Sequence, residues 1–122
     1  MRRWNGWGDE KTYLELPENG QSFLEEKVGK ASPLENAEYS QVESSVPKSR
    51  LEVSSLYSIE TKDRILHARG QSLPDWLAMK SGDIGVFPDA VSFPESSDDV
   101  RALMDDAKKN NWVLIPLSLI HI

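Results

Sequence analysis

The chain has 122 residues, enough for one small domain, with 39% apolar and 28% charged residues and a formal net charge of −6. Acidity at this level argues against a nucleic-acid groove and against an anionic membrane surface. With no cysteine in the sequence, disulfides, thiolate metal sites and cysteine nucleophiles are excluded.

In chain order, KTYLEL alternates well enough to predict a short strand over residues 12–16. SFLEEKVG then predicts a brief helix stopped by Gly29. Residues 30–58 are rich in Ser and Glu, sparse in apolar side chains, and carry two prolines. They are expected to form extended surface chain, with one short helix around residues 51–56. In SLPDWLAMKSG, Ser72 can cap a helix, Pro74 fits its first turn and Gly82 can end it. Ala90, Val91 and Phe93 predict a strand between two prolines, Pro88 and Pro94. Ser96 followed by Asp99 reads as a capping box, and Val100, Leu103, Met104 and Ala107 recur at helical spacing. Lys108 and Lys109 suit the last turn, with Asn110-Asn111 as a left-handed cap. Residues 112–115 predict a buried-type strand.

The last three elements make a strand–helix–strand unit, expected to be right-handed with parallel strands. Ligands of open α/β sheets bind beyond the carboxyl ends of the strands, so the functional loop is expected directly after Pro116. Instead the sequence continues LSLIHI, without glycine, turn chemistry or polar anchor. The mosaic end of a transposase sequencing adapter translates to these same six residues. Residues 117–122 are therefore expected to be adapter-derived, with native sequence ending at Pro116.

Candidate reactive residues are few. His67 and His121 form no ligand-spaced pair. His67 and Arg69 in HARGQS lack a carboxylate partner at triad-like spacing and are expected on a surface strand or loop beside a helix start. Asp98 and Asp99 fit the start of a helix, whereas Asp105 and Asp106 can meet Lys108 and Lys109 on its solvated face. No metal site and no catalytic residue is expected from these groupings. The absence of an apolar leader after Met1-Arg2-Arg3 and of any membrane-length apolar run makes a cytoplasmic protein the expectation.

Two segments carry a family likeness: RRWNGWGDE near the start, and DRILHARGQSLPDWLAMKSGDIGVFPDAVSFPESSDDVRALMDDAKKNNWVLIP over residues 63–116. Together they resemble the amino-terminal part of the alkyldihydroxyacetonephosphate synthase (alkylglycerone-phosphate synthase) family and its bacterial FAD-binding relatives. The shared pattern is a basic WNGWG opening, D-R-x-x-x-A-x-G, P-D-x-V-x-x-P, a helix, and a strand ending I-P. The likeness covers about half of the chain. PDAVSFPESSDDV alone is shared with many flavoproteins of the vanillyl-alcohol-oxidase and p-cresol-methylhydroxylase (PCMH) type.

The resemblance implies an α+β fold: an amino-terminal extension plus the first βαβ unit of a PCMH-type FAD-binding domain, truncated. The implied segments are a WNGWG segment over 1–29, a Ser/Glu-rich extended segment over 30–62, a helical lead-in over 63–84, the start of the FAD-binding domain over 85–116, and the tail over 117–122. In the family, the I-P strand runs into a Gly-rich loop that cradles the FAD diphosphate with consecutive N–H groups. Pro116 is the one residue of this chain that the resemblance connects to FAD; Leu117 and Ser118 stand where glycines would follow. The implied activity of the intact parent is FAD-dependent exchange of acyl for alkyl on dihydroxyacetone phosphate, an ether-lipid step. The alternative is oxidation of a small hydroxy acid of the glycolate or D-lactate type. FAD and a lipid or hydroxy-acid substrate are the implied partners, and the parent could be a homo-oligomer. The 122-residue chain itself is expected to be inactive and to bind FAD weakly. A reading of another class remains: a small non-enzymatic interaction domain using Trp4, Trp7 and the terminal strand. On the family reading, both tryptophans are expected to dock against a larger domain.

Overall fold

A computed structural model describes residues 3–32 and 34–117. Among the described residues five helices follow one another: α1 (Gly20–Val28), α2 (Tyr39–Ser45), α3 (Thr61–Leu66), α4 (Leu73–Ser81) and α5 (Ser97–Asn110).

The two best-signalled helices form as their sequences direct. The Ser96 hydroxyl accepts from the Asp99 N–H at 3.1 Å, and the Asp99 carboxylate accepts from the Ser96 and Glu95 N–H groups, both at 3.0 Å. These bonds satisfy the orphan donors at the start of α5 and hold the Asp99 carboxyl below the ordinary carboxylate range. At the other end, Asn111 adopts the left-handed conformation and the Trp112 N–H reaches the Ala107 carbonyl at 2.8 Å. Helix α4 has the same design, with Ser72 and Asp75 at its start and Gly82 left-handed at its stop. Helix α1 forms where expected and ends at Gly29, but it has no side-chain cap and buries no residue.

The core joins segments distant in sequence. Val42 of α2, Ile65 of α3 and Ile84 after α4 form its buried centre, with Trp4, Tyr39, Val46, Ala68 and Phe87 packed around them. A backbone bond from the Ala37 N–H to the Lys80 carbonyl, 2.7 Å, closes α4 onto the approach to α2. There the chain passes so near Gly82 that a Cβ at this position would lie 2.8 Å from the Ala37 Cβ.

The helix expected at residues 51–56 does not form, and the segment expected to be extended carries α2 instead. Serine hydroxyls explain the first difference. The Leu51 N–H donates to the Ser49 hydroxyl and the Leu56 N–H to the Ser54 hydroxyl, local turns that compete with helix bonding. For the second, one buried valine is enough to anchor a seven-residue helix whose other faces stay wet.

The α+β reading is corrected most at its strands. Among the described residues there is no strand ladder; Ser58 and Val91 form an antiparallel bridge with bonds of 2.8 and 2.9 Å. Residues 12–16 alternate without a partner and stay exposed. Residues 90–93 contribute that bridge alone, and residues 112–115 pair with nothing described. The parallel βαβ unit is thus not formed within the described chain. A strand needs a neighbour to satisfy its backbone, and the described chain supplies none beyond Ser58.

Candidate functional site

Helix α5 is capped by Asn111 in the left-handed conformation. Trp112 is braced edge-on by Tyr57, with ring centroids 5.9 Å apart. Trp112 and Leu114 then line a shallow groove of about 460 Å³ with Met104 and Ala107, and Lys108 and Asn111 complete its wall. Beyond it, Ile115 is 82% exposed and Leu117 is exposed as well. Pro116 lies in this exposed stretch. It has no N–H to offer an anion.

These residues do not fit the diphosphate of FAD. An anion nest needs consecutive N–H groups converging on one point, usually with glycines at positive φ. The glycines with positive φ are Gly8, Gly29, Gly82 and Gly85, all remote in sequence from Pro116. After Pro116 come a leucine, and then residues 118–122, which lie outside the described residues together with most of the adapter-like tail and His121.

His67 and Arg69 are used structurally. The His67 Nδ1 sits 2.7 Å from the Asp63 carbonyl, and its ring meets Phe93 edge-on at 5.3 Å. Arg69 donates from Nε to the Ile84 carbonyl at 2.7 Å and pairs loosely with Asp75 at 3.8 Å. No nucleophile–base pair arises from either residue. Asp98 pairs with Arg101 within α5, whereas Asp105 and Asp106 make no ion pair with Lys108 or Lys109 among the described residues. No group of three or more His, Asp or Glu side chains among the described residues is placed to hold a metal. No helix among them is long and apolar enough to cross a membrane.

The tryptophans of WNGWG separate in role. Trp4 packs on the core and meets Tyr39 edge-on at 5.8 Å, so it finds its partner within the described chain. Trp7 meets Trp76 edge-on at 5.3 Å and remains largely exposed.

The residue that sequence reading missed is Arg64, only 2% exposed. Its Nε donates to the Pro88 carbonyl at 2.6 Å and its Nη1 to the Pro47 carbonyl at 2.8 Å. Next to Pro88, the Asp89 carboxylate accepts from both the side chain and the backbone N–H of Arg50. The arginine of DRILHARG therefore holds the first residue of PDAVSFP. A signal was available, since both lie within the segments that carry the family likeness.

No family model matches the chain. It is 37% identical over 54 residues to alkyldihydroxyacetonephosphate synthase of Dictyostelium discoideum, a match covering 44% of this chain and 9% of that protein. It is 29% identical over 108 residues to Protein Rv2250A of Mycobacterium tuberculosis, covering 75% of this chain and 68% of the relative. A solved alkyldihydroxyacetonephosphate synthase structure superposes with a TM-score of 0.66 and 23% identity, over 96% of this chain and 27% of that one. The chain thus has a fold resembling part of that synthase and spans about a quarter of its solved length.

Proposed function

We propose that this chain is the amino-terminal part of an FAD-dependent enzyme of the alkyldihydroxyacetonephosphate synthase type, whose reaction exchanges acyl for alkyl on dihydroxyacetone phosphate. The observation that carries the reading is the likeness of 96% of the chain to 27% of a synthase structure, supported by the 54-residue sequence match. On this reading residues 3–116 build a scaffold that leads up to the cofactor site, and residues 117–122 are adapter-derived. The scaffold's own residues position and brace: Arg64 fixes the PDAVSFP segment, and the Asn111 turn with the Tyr57–Trp112 contact aims the chain toward Pro116. The cofactor, when bound to the intact parent, supplies the reactive chemistry. The 122-residue chain alone is inactive.

The test is the genomic DNA across codon 117, followed by expression of the whole reading frame. A Gly-rich continuation, a protein purified with flavin, and incorporation of a labelled fatty alcohol in place of the acyl group are the expected results. Oxidation of glycolate or D-lactate without that exchange would replace the synthase by a hydroxy-acid oxidase. A locus encoding Leu-Ser-Leu-Ile-His-Ile and a stop would overturn the reading.

A further inference from the structure

Asparagine is followed by glycine twice in this chain, at Asn5-Gly6 and at Asn19-Gly20. Glycine has no Cβ to shield its amide nitrogen, so that nitrogen can attack the carboxamide carbon of the residue before it. The attack needs a free carboxamide, an unbonded glycine N–H and rotation of the asparagine ψ. The fold treats the two pairs differently. Gly6 is buried, and the Arg3 N–H closes its turn on the Gly8 carbonyl at 3.0 Å. On either side, Trp4 packs on the core and Trp7 meets Trp76. Asn19 is exposed and begins α1, yet its side chain makes no capping bond. Its ψ is 0°, and the Gly20 N–H is held by the Pro17 carbonyl at 2.7 Å, so the start of α1 must open before the attack. That opening disrupts little, because α1 has nine residues and buries none of them. A helix this short depends on packing for its stability, and an unpacked one opens at the low end of the free-energy range.

We propose that Asn19 is a site of spontaneous covalent modification, selected over Asn5 by the looseness of α1. The Gly20 nitrogen loses its proton and bonds to the Asn19 Cγ. The carboxamide nitrogen takes up a proton and leaves as ammonia, and a five-membered succinimide remains. Water then opens the ring at one of its two carbonyls. One opening gives aspartate on an unchanged main chain, and the other gives isoaspartate, with the main chain routed through the former side chain. No oxidant, metal or second protein takes part. Either product sets a carboxylate at the start of α1, whose first turn has no acidic residue. Aspartate is a good capping residue there, and its charge is favoured by the helix dipole. Isoaspartate adds a methylene to the main chain and shifts α1 relative to the segment before it. The inference stands apart from the synthase reading, since it uses only residues 3–28.

The experiment ages the purified 122-residue protein in mildly alkaline buffer, with and without denaturing urea. Peptide mass spectrometry follows the conversion of each amide to acid, and labelling by a protein isoaspartyl methyltransferase reports isoaspartate. In the folded protein Asn19 is expected to convert about tenfold or more faster than Asn5, because an unpacked helix start opens more readily than a buried turn. In urea the two rates are expected to converge to within about threefold, since both pairs then lose the protection of the fold. Gly20→Ala is expected to slow conversion at Asn19 and leave Asn5 unchanged. Its added Cβ meets only ordinary contacts, 3.4 Å from the Pro17 Cδ and 3.5 Å from Leu16, so the fold is kept. Three results would overturn the proposal: equal or faster conversion of Asn5 in the folded protein, an Asn19 that converts only in urea, or a Gly20→Ala variant whose Asn19 reacts at the original rate.

Discussion

Arg64 and Pro88, twenty-four residues apart, are joined by a 2.6 Å bond from the buried guanidinium to a main-chain carbonyl. The same side chain holds Pro47 at 2.8 Å, so one residue of α3 ties down two proline-bearing segments. Charge-assisted bonds of this kind contribute about 1.5–3 kcal/mol each. Arg64→Met removes both and leaves the part-buried bonds to the Pro47 and Pro88 carbonyls without their donor. A loss of about 3 kcal/mol in unfolding free energy is expected by chemical denaturation. Arg64→Lys is expected to lose less, since one ammonium can still reach one of the two carbonyls. Equal losses for both variants would show that packing of the stem, not the fork of donors, is what matters.

Acid should loosen the same corner. The Arg50 side chain holds the Asp89 carboxyl below its ordinary value of 3.8. A carboxylate whose folded pKa is depressed stabilises fully above the unfolded value, and that contribution is lost as pH falls through the folded value. Asp99 shifts in the same direction, through its bonds to Ser96 and Glu95. The melting temperature is therefore expected to fall below about pH 4. Asp89→Asn should make the protein less stable at neutral pH and flatten that fall. An unchanged acid slope in the variant would remove Asp89 from the account.

Gly82 is expected to resist substitution more than Gly8, although both have positive φ, +78° and +82°. A Cβ at Gly82 meets the Ala37 Cβ at 2.8 Å, whereas one at Gly8 meets nothing within 4 Å. Gly8→Ala should cost about 1 kcal/mol, the penalty of the left-handed backbone alone. Gly82→Ala should cost at least about 2 kcal/mol, because the approach to α2 must also move. Thermal melts of the two variants decide this.

The helix starts make a matched pair. Ser96→Ala removes a bond to the Asp99 N–H and is expected to destabilise by about 1 kcal/mol. Asn19 begins α1 without a side-chain cap bond, so Asn19→Ala should change stability by no more than a few tenths of a kcal/mol. A comparable loss at Asn19 would mean that its side chain caps α1 in solution.

What could be read from the sequence was local. Ser72, Gly82, Ser96, Asp99 and Asn111 announce the ends of α4 and α5 through bonds made within a few residues. What could not be read depends on distant partners. Val42 is one apolar residue in a polar segment, and only Ile65 and Ile84 make it core. Arg64 looks like a surface charge because the carbonyls that receive it carry no sequence signature. Residues 12–16 have the alternation of a strand and 112–115 the continuous apolar run of a buried one, but pairing is a property of two segments, and no ladder forms among the described residues. Pro116 follows the patterned region, and the described residues around it offer apolar side chains and no nest.

The central proposal is that residues 3–116 form the approach to a flavin site and do not themselves hold the cofactor. Equilibrium dialysis of FAD against the purified 122-residue protein tests it most directly. The expected result is no saturable uptake and no flavin spectrum in the protein chamber. Stoichiometric, saturable retention of FAD would contradict the claim.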